Sequence, residues 1–349
     1  MIILLFKGVL TATYIEILKE FNEELIKERS APVIGSNRII QSHNTHLIVL
    51  KKLRDKYITN LEKITNRKTI IYYSGFLKLN PVSSSFGMSS QSRTNDMHIS
   101  INDQDINAFS SNIFSKISKS TLSTNGYDIV LHTPGGAATS CEQLIQTITA
   151  FCDNNFRTII PQQAMSAGTM IACASKEIIM DDSAALGPTD PQVWGGLPAQ
   201  AIVDEVDSII NEVKKDQVKI LVYREILAKY PPTFIGQSKE AIALVDELLK
   251  KYLKRNMLAK KSESDVQEII QNFLSSHKFS KLHGRPYSPD VCLEHGLNVV
   301  KTSSDANLKQ AIESLHNICL LSIEILNISK LIDSVDCDAW IISSNQLLV

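Results

Sequence analysis

The sequence has no surplus of charge of either sign: 36 Lys and Arg stand against 37 Asp and Glu in 349 residues. A protein built around a nucleic-acid backbone carries a basic excess, so no nucleic-acid partner is expected. Cysteine spacing is equally bare. Cys141, Cys152, Cys173, Cys292, Cys319 and Cys337 form no CxxC pair or other metal-ligand pattern, in a chain too long to need disulfide staples. That pattern points to a reducing, cytoplasmic setting with no metal and no cofactor. No apolar run reaches the roughly 20 residues of a spanning helix, because the opening MIILLFKGVL is broken by Lys7 and followed by Glu16. No small-residue cleavage site follows a basic start either. Membrane association through this opening is therefore the less favoured alternative to a packed N-terminal element. An internal repeat is also missing, which excludes a solenoid.

What is present is the composition of a core-forming globular protein, 44% hydrophobic and 21% charged. Tyr14, Ile17, Leu18, Phe21 and Leu25 recur at three- and four-residue steps, as do Leu50, Leu53, Tyr57, Leu61 and Ile64, so two amphipathic helices are predicted before residue 66. Core packing and self-association compete to explain their apolar faces. At Lys68 the pattern changes to Thr69-Ile70-Ile71-Tyr72-Tyr73, a buried strand. Residues 81–94, rich in Ser and without periodicity, read as a surface loop or a substrate-covering flap. A helix capped at Asn102-Asp103, a strand over 127–132, a helix over 139–152, a strand over 157–161, a helix over 164–175 and a strand over 177–180 then alternate, which favours βαβ crossovers and parallel strands. Beyond Pro198 the chain reads as helical, and a last helix is expected over 308–331, before a tail with Trp340.

Two turns between a strand and a helix carry the chemistry. His132-Thr133-Pro134-Gly135-Gly136 runs from a strand into paired glycines, whose missing Cβ atoms let backbone N–H groups approach a ligand. Gln163-Ala164-Met165-Ser166-Ala167-Gly168-Thr169 places a serine at the start of a helix of small residues, where free N–H groups and the helix dipole favour developing negative charge. Either turn alone has a plain structural explanation, a strand-to-helix connection for the first and an N-capping serine for the second. Together they lie one βαβ unit apart, so adjacent parallel strands bring both to one sheet edge. An oxyanion hole then draws one N–H from Gly135 or Gly136 and one from Ala167.

These two runs, with Leu186-Gly187-Pro188-Thr189-Asp190-Pro191-Gln192, resemble the serine dehydrogenase proteinase family of prokaryotes, distant relatives of the Clp protease and signal peptide peptidase A. The resemblance is close over 127–192, weaker over 68–119 and 276–299, and absent elsewhere. It implies an α/β fold, the Clp/crotonase spiral of ββα units, and with the local periodicity this divides the chain into a helical N-terminal arm over 1–66, a peptidase domain over 67–306 and a C-terminal helix and tail over 307–349. It also implies Ser166 as nucleophile facing the Gly135-Gly136 turn. Members are often described with a hydrophobic N-terminal anchor, from which this charged, amphipathic arm departs.

A serine hydroxyl needs a base. The resemblance implies a triad in chain order Ser, Asp, His, in which Asp190 on its proline-held turn is the acid and Asp181 the alternative. His283, in His283-Gly284-Arg285-Pro286 before Glu294-His295-Gly296-Leu297, takes the place of the base, although Gly284 and Arg285 depart from the family pattern. A Ser-Lys dyad through Lys214, Lys215 or Lys219 stays open. The function implied is peptide-bond hydrolysis on peptides or unfolded proteins by a homo-oligomer. A crotonase-like acyl-thioester enzyme and an inactive scaffold of the same fold are the alternatives, and no sequence feature for a CoA site is present.

Overall fold

The computed structural model describes residues 12–30, 38–77, 98–117, 125–193, 196–335 and 337–343. The apolar opening and the 81–94 loop lie outside the described residues.

The frame is a seven-stranded sheet of β1 (Lys68–Ser74), β2 (Tyr127–His132), β3 (Phe156–Ile160), β5 (Ile178–Met180), β9 (Val299–Lys301), β10 (Ile328–Asp333) and β11 (Trp340–Ser343). Their order across the sheet is β11-β10-β1-β2-β3-β5-β9. From β1 to β9 all neighbours are parallel, whereas β10 runs antiparallel to β1 and β11 antiparallel to β10. The short β4 (Gln163–Ala164) and β6 (Ala185–Leu186) form a second parallel pair, and β7 (Gln192–Val193) and β8 (Leu197–Pro198) a small antiparallel one.

Strand residues are apolar on both faces because both faces are covered. Successive side chains point to opposite sides, so Ile70 and Tyr72 join a core with helix Ala138–Cys152 and helix Ala167–Ala174. Ile71 and Tyr73 join a second core with α1 (Ala12–Arg29), α2 (Arg38–Thr65) and helix Ala306–Leu326. The apolar stripe of α1 is buried there over its whole length, Tyr14 to Leu25, as are Leu50, Leu53 and Leu61 of α2. These faces are thus spent on the sheet.

The last helix stops five residues before its predicted end. Asn327 adopts a left-handed conformation (φ 49°) that closes the helix, and Ile328–Asp333 returns as a wholly buried strand. The Leu and Ile periodicity runs on through this point, and a lone Asn cap is the only local sign of the turn. Two buried groups fasten β10 to the helices: the Arg54 guanidinium donates to Asp333 at 2.8 Å and to Ser322 at 3.0 Å. All six cysteines are free and buried. Burial pushes their thiols up, Cys292 to about 12 and Cys337 to about 11. Among the described residues no helix is long and apolar enough to cross a membrane.

Candidate active site

The two signature turns meet at the C-terminal edge of β2 and β3. Thr133 pairs with Ala164 across a parallel bridge, with Thr133 N–H donating to Gln163 O and Met165 N–H to Thr133 O, each at 3.0 Å. This pairing makes Gln163 and Ala164 a short strand and draws Ala164 out of the helix expected from residue 164, so that the helix begins at Ala167. Ser166 occupies the corner between strand and helix with φ 52° and ψ −116°, a conformation disfavoured for any residue with a side chain. Its side chain makes no capping hydrogen bond, unlike the ordinary N-cap serine.

Gly135 faces this corner. It has φ 102°, and a Cβ there would stand 2.7 Å from the Ser166 Cβ and 3.1 Å from the Ala167 nitrogen. Only glycine allows the turn and the serine to come so close. The Gly135 N–H donates to Thr133 Oγ1 at 3.2 Å. On the other side the backbone of Ile101 pairs with the turn: Ile101 N–H donates to Gly135 O at 2.7 Å, and Ala137 N–H donates to Ile101 O at 3.1 Å.

The Leu186–Asp190 turn is tied to the same corner by Thr169. Its hydroxyl bridges Ala164 O at 2.9 Å and Gly187 O at 2.8 Å and accepts from Gly187 N–H at 3.0 Å. Thr169 lies within the signature run, but sequence reasoning gave it no role, since these partners become neighbours only on folding. Leu186 exchanges two backbone hydrogen bonds with Tyr287, which carries the 281–287 loop alongside the turn. There the fully buried Asp190 accepts through Oδ1 from His283 Nδ1 at 2.9 Å. Asp190 Oδ2 has no partner among the described residues. Ser166 makes no hydrogen bond to the imidazole, so the structure joins two of the three side chains directly.

The remaining candidate Asp, Lys and His side chains lie in other elements. Asp181 accepts from the Ser183 N–H and hydroxyl and from the Thr302 hydroxyl, a turn-forming role. Lys219 is paired with Glu212, which holds its ammonium above the ordinary lysine value, the opposite of what a general base needs. Lys214 and Lys215 lie in the last turn of helix Ala199–Lys215. His132 ends β2 on the face away from Ser166, packed against Tyr73, Phe76 and His316. His295 stacks on Phe273 at a helix end, and His277 opens helix His277–Ser280. Among the described residues no cluster of His, Cys, Asp and Glu is placed to hold a metal ion.

A family model of ClpP-like SDH-type serine proteinases matches residues 101–304. The uncharacterized protein MJ0137 of Methanocaldococcus jannaschii is 31% identical over 188 residues, 54% of this chain and 56% of that protein. MJ1495 of the same organism is 33% identical over 174 residues, 49% of this chain and 51% of its own length. The chain thus spans about half the length of the curated relatives it matches. Among solved structures, a Ser-to-Ala mutant of the 1510-N membrane-bound stomatin-specific protease aligns with a TM-score of 0.33 at 18% identity, covering 60% of this chain and 77% of that one. A Lys-to-Ala mutant of the same protease in complex with a substrate peptide aligns with a TM-score of 0.34 at 19% identity, covering 60% and 73%. A likeness this weak leaves the base and the substrate to be argued from this chain's own residues.

Proposed function

Because the chain belongs to the family of ClpP-like serine proteinases of the SDH type, we propose that it is a serine endopeptidase working by acyl transfer through Ser166. The observation that carries this reading is the approach of Gly135 to Ser166, which sets backbone amides beside a strained, uncapped serine. Gly135 N–H is held by Thr133, but Gly136 N–H and Ala167 N–H donate to no described residue, and these two are the oxyanion donors. Asp190 and His283 supply the base. A carboxylate accepts, so Nδ1 carries the proton and Nε2 presents its lone pair. As the Ser166 hydroxyl attacks the scissile carbonyl carbon, Nε2 takes its proton, and the Gly136 and Ala167 amides hold the tetrahedral oxyanion. The imidazolium then protonates the leaving amine, and water activated by the same ring hydrolyses the acyl-enzyme. The hydrogen bond from serine to imidazole closes with substrate in place, as such bonds commonly do.

A fluorophosphonate probe tests this directly. The protein should be labelled at Ser166, Ser166→Ala should lose labelling and peptide cleavage, and His283→Ala should lower turnover by roughly 10⁴-fold or more. Retained activity in His283→Ala with loss in Lys214→Ala or Lys219→Ala would replace the triad by a lysine dyad. Neither labelling nor cleavage across about pH 6 to 9 would leave an inactive scaffold.

Self-association belongs to the same proposal. With the N-terminal stripes buried, Val218, Leu221 and Val222 form a run of strongly exposed large apolar side chains, at 70%, 69% and 67%, whereas Leu282, at 73%, stands apart from them in the chain. A second copy covering this segment would remove them from water. Light scattering at micromolar concentration should give a multiple of 38.8 kDa, falling to one chain in Leu221→Glu, and a single-chain mass in the wild type sinks the idea.

A further inference from the structure

Three groups far apart in the chain meet at a buried point behind the glycine turn. Lys330 of β10 and Asp105 of helix Asp103–Asn107 are fully buried, and Tyr72 of β1 is 1% exposed. Lys330 Nζ donates to the two Asp105 carboxylate oxygens at 2.6 and 2.9 Å and to Ser100 O at 2.9 Å. The Tyr72 hydroxyl donates to Asp105 Oδ2 at 2.8 Å, and Asn102 N–H donates to the same oxygen at 2.9 Å. Taking an ion pair out of water is expensive, and apolar residues of equal volume generally serve stability as well or better. What this pair holds is therefore informative.

It holds the 100–102 segment from both ends, and that segment is the clamp on the glycines. Ile101 N–H donates to Gly135 O, Ile101 pairs in parallel with Gly136, and a Cβ on Gly136 would lie 2.3 Å from Ile101 O. A trans peptide points its N–H opposite to its C=O, and no peptide bond here is cis. With the Gly135 carbonyl turned toward Ile101, the Gly136 N–H is directed away from it. Paired glycines have no steric preference that would keep this peptide from rotating, so the clamp must supply it.

We propose that Lys330 is a positioning residue for the oxyanion turn, holding Ser100 and Ile101 against Gly135 and so fixing the orientation of the Gly135–Gly136 peptide. The assignment rests on the reading of Ser166 given above. Lys330 acts through the backbone and touches no reacting atom. Both Lys330 and Tyr72 lie outside the matched residues 101–304, so strands beyond that segment complete the site.

The test uses the full chain with Lys330→Met and with the double variant Lys330→Met/Asp105→Asn. The single change strands a buried carboxylate and should lower Tm sharply, whereas the double change removes both charges and should restore the fold. In the folded double variant, kcat on a fluorogenic peptide should fall roughly 10²-fold with KM little changed, the signature of a misplaced transition-state donor. Amide exchange at Ile101, followed by mass spectrometry on peptides spanning it, should accelerate while β2 stays protected. A folded double variant with wild-type kcat, with unchanged protection at Ile101, or with a rise in KM alone overturns the proposal. If the wild-type protein neither labels nor cleaves, the peptidase reading fails, and Ile101 exchange by itself decides whether Lys330 holds the turn.

Discussion

Ser166 is held in a backbone conformation that costs on the order of 1–3 kcal/mol, and its neighbours show how that cost is met. Thr133 and Ala164 fix the strand on one side, Thr169 bolts the following helix to Gly187, and Gly135 leaves the room that any side chain would fill. Gly135→Ala should therefore be doubly unfavourable. Its φ of 102° disfavours alanine, and the new methyl would meet Met165 O and the Ser166 Cβ at 2.7 Å. Both neighbours belong to the main chain or its first carbon, so neither can swing aside. We expect a loss of about 1–3 kcal/mol in a urea titration. Because a displacement near 1 Å is enough to spoil attack geometry, fluorophosphonate labelling should slow by roughly 10²-fold. A stable Gly135→Ala protein that labels at the wild-type rate would mean that Ser166 does not need this turn.

At the scale of elements, the attachment of β10 to α2 depends on a buried charge. Asp333, fully buried, accepts from Arg54 at 2.8 Å and lies 3.2 Å from Lys51. Asp333→Ala leaves the buried guanidinium uncompensated and should cost about 3–5 kcal/mol, while Arg54→Met with Asp333→Leu should recover most of that loss. Denaturant melts of the two proteins separate a stranded charge from simple loss of packing. Such links also mark where the sequence stops being legible. Strand 127–132, the helix after Gly136 and the apolar face of α1 follow from local periodicity, and the structure has them within a residue or so, whereas α2 begins at Arg38, nine residues before the stretch read from Leu47, and leaves Ile64 of its expected face exposed. Local pattern could not show β10, because its Ile and Leu continue the rhythm of the helix before it. Lys330 reads as one more surface lysine, since its partner Asp105 is 225 residues away in the chain. His283 and Asp190, 93 residues apart, came together only through the family resemblance, and no spacing rule would have paired them. Gly135 and Ser166 were readable because both sit at strand-to-helix turns of one βαβ unit.

The whole molecule carries a pH dependence built into its second core, where His132 and His316 lie side by side, their ring centroids 5.5 Å apart, with Tyr73 hydrogen-bonded to His316 Nδ1 at 3.1 Å. Burial holds His132 down to about 3, helped by the neighbouring His316, while the nearby Gln163 backbone offsets part of this without meeting hydrogen-bond geometry. Burial alone holds His316 down to about 4. In the unfolded chain both titrate near 6.5. Below that pH the unfolded state binds protons that the folded state refuses, so the stability these groups contribute is complete above 6.5 and is lost as pH falls toward the folded values. Each site loses about 1.4 kcal/mol per pH unit within this window, or roughly 2 kcal/mol each by pH 5. Ordinary carboxylates have their midpoints near pH 4, and Asp55 and Asp246, whose carboxyls burial pushes up, shift stability in the opposite sense, so the histidine share is read from the His132 variant. Urea midpoints measured at pH 7, 6 and 5 should fall steadily, and His132→Phe, which keeps the ring contacts with Tyr73 and Phe76, should flatten the slope by about half. A wild-type protein equally stable at pH 7 and pH 5 would mean that these rings reach water or a partner before they charge. Because His132 leads directly into Thr133 and the glycine turn, the same acid range should abolish labelling of Ser166 no later than the fold itself is lost.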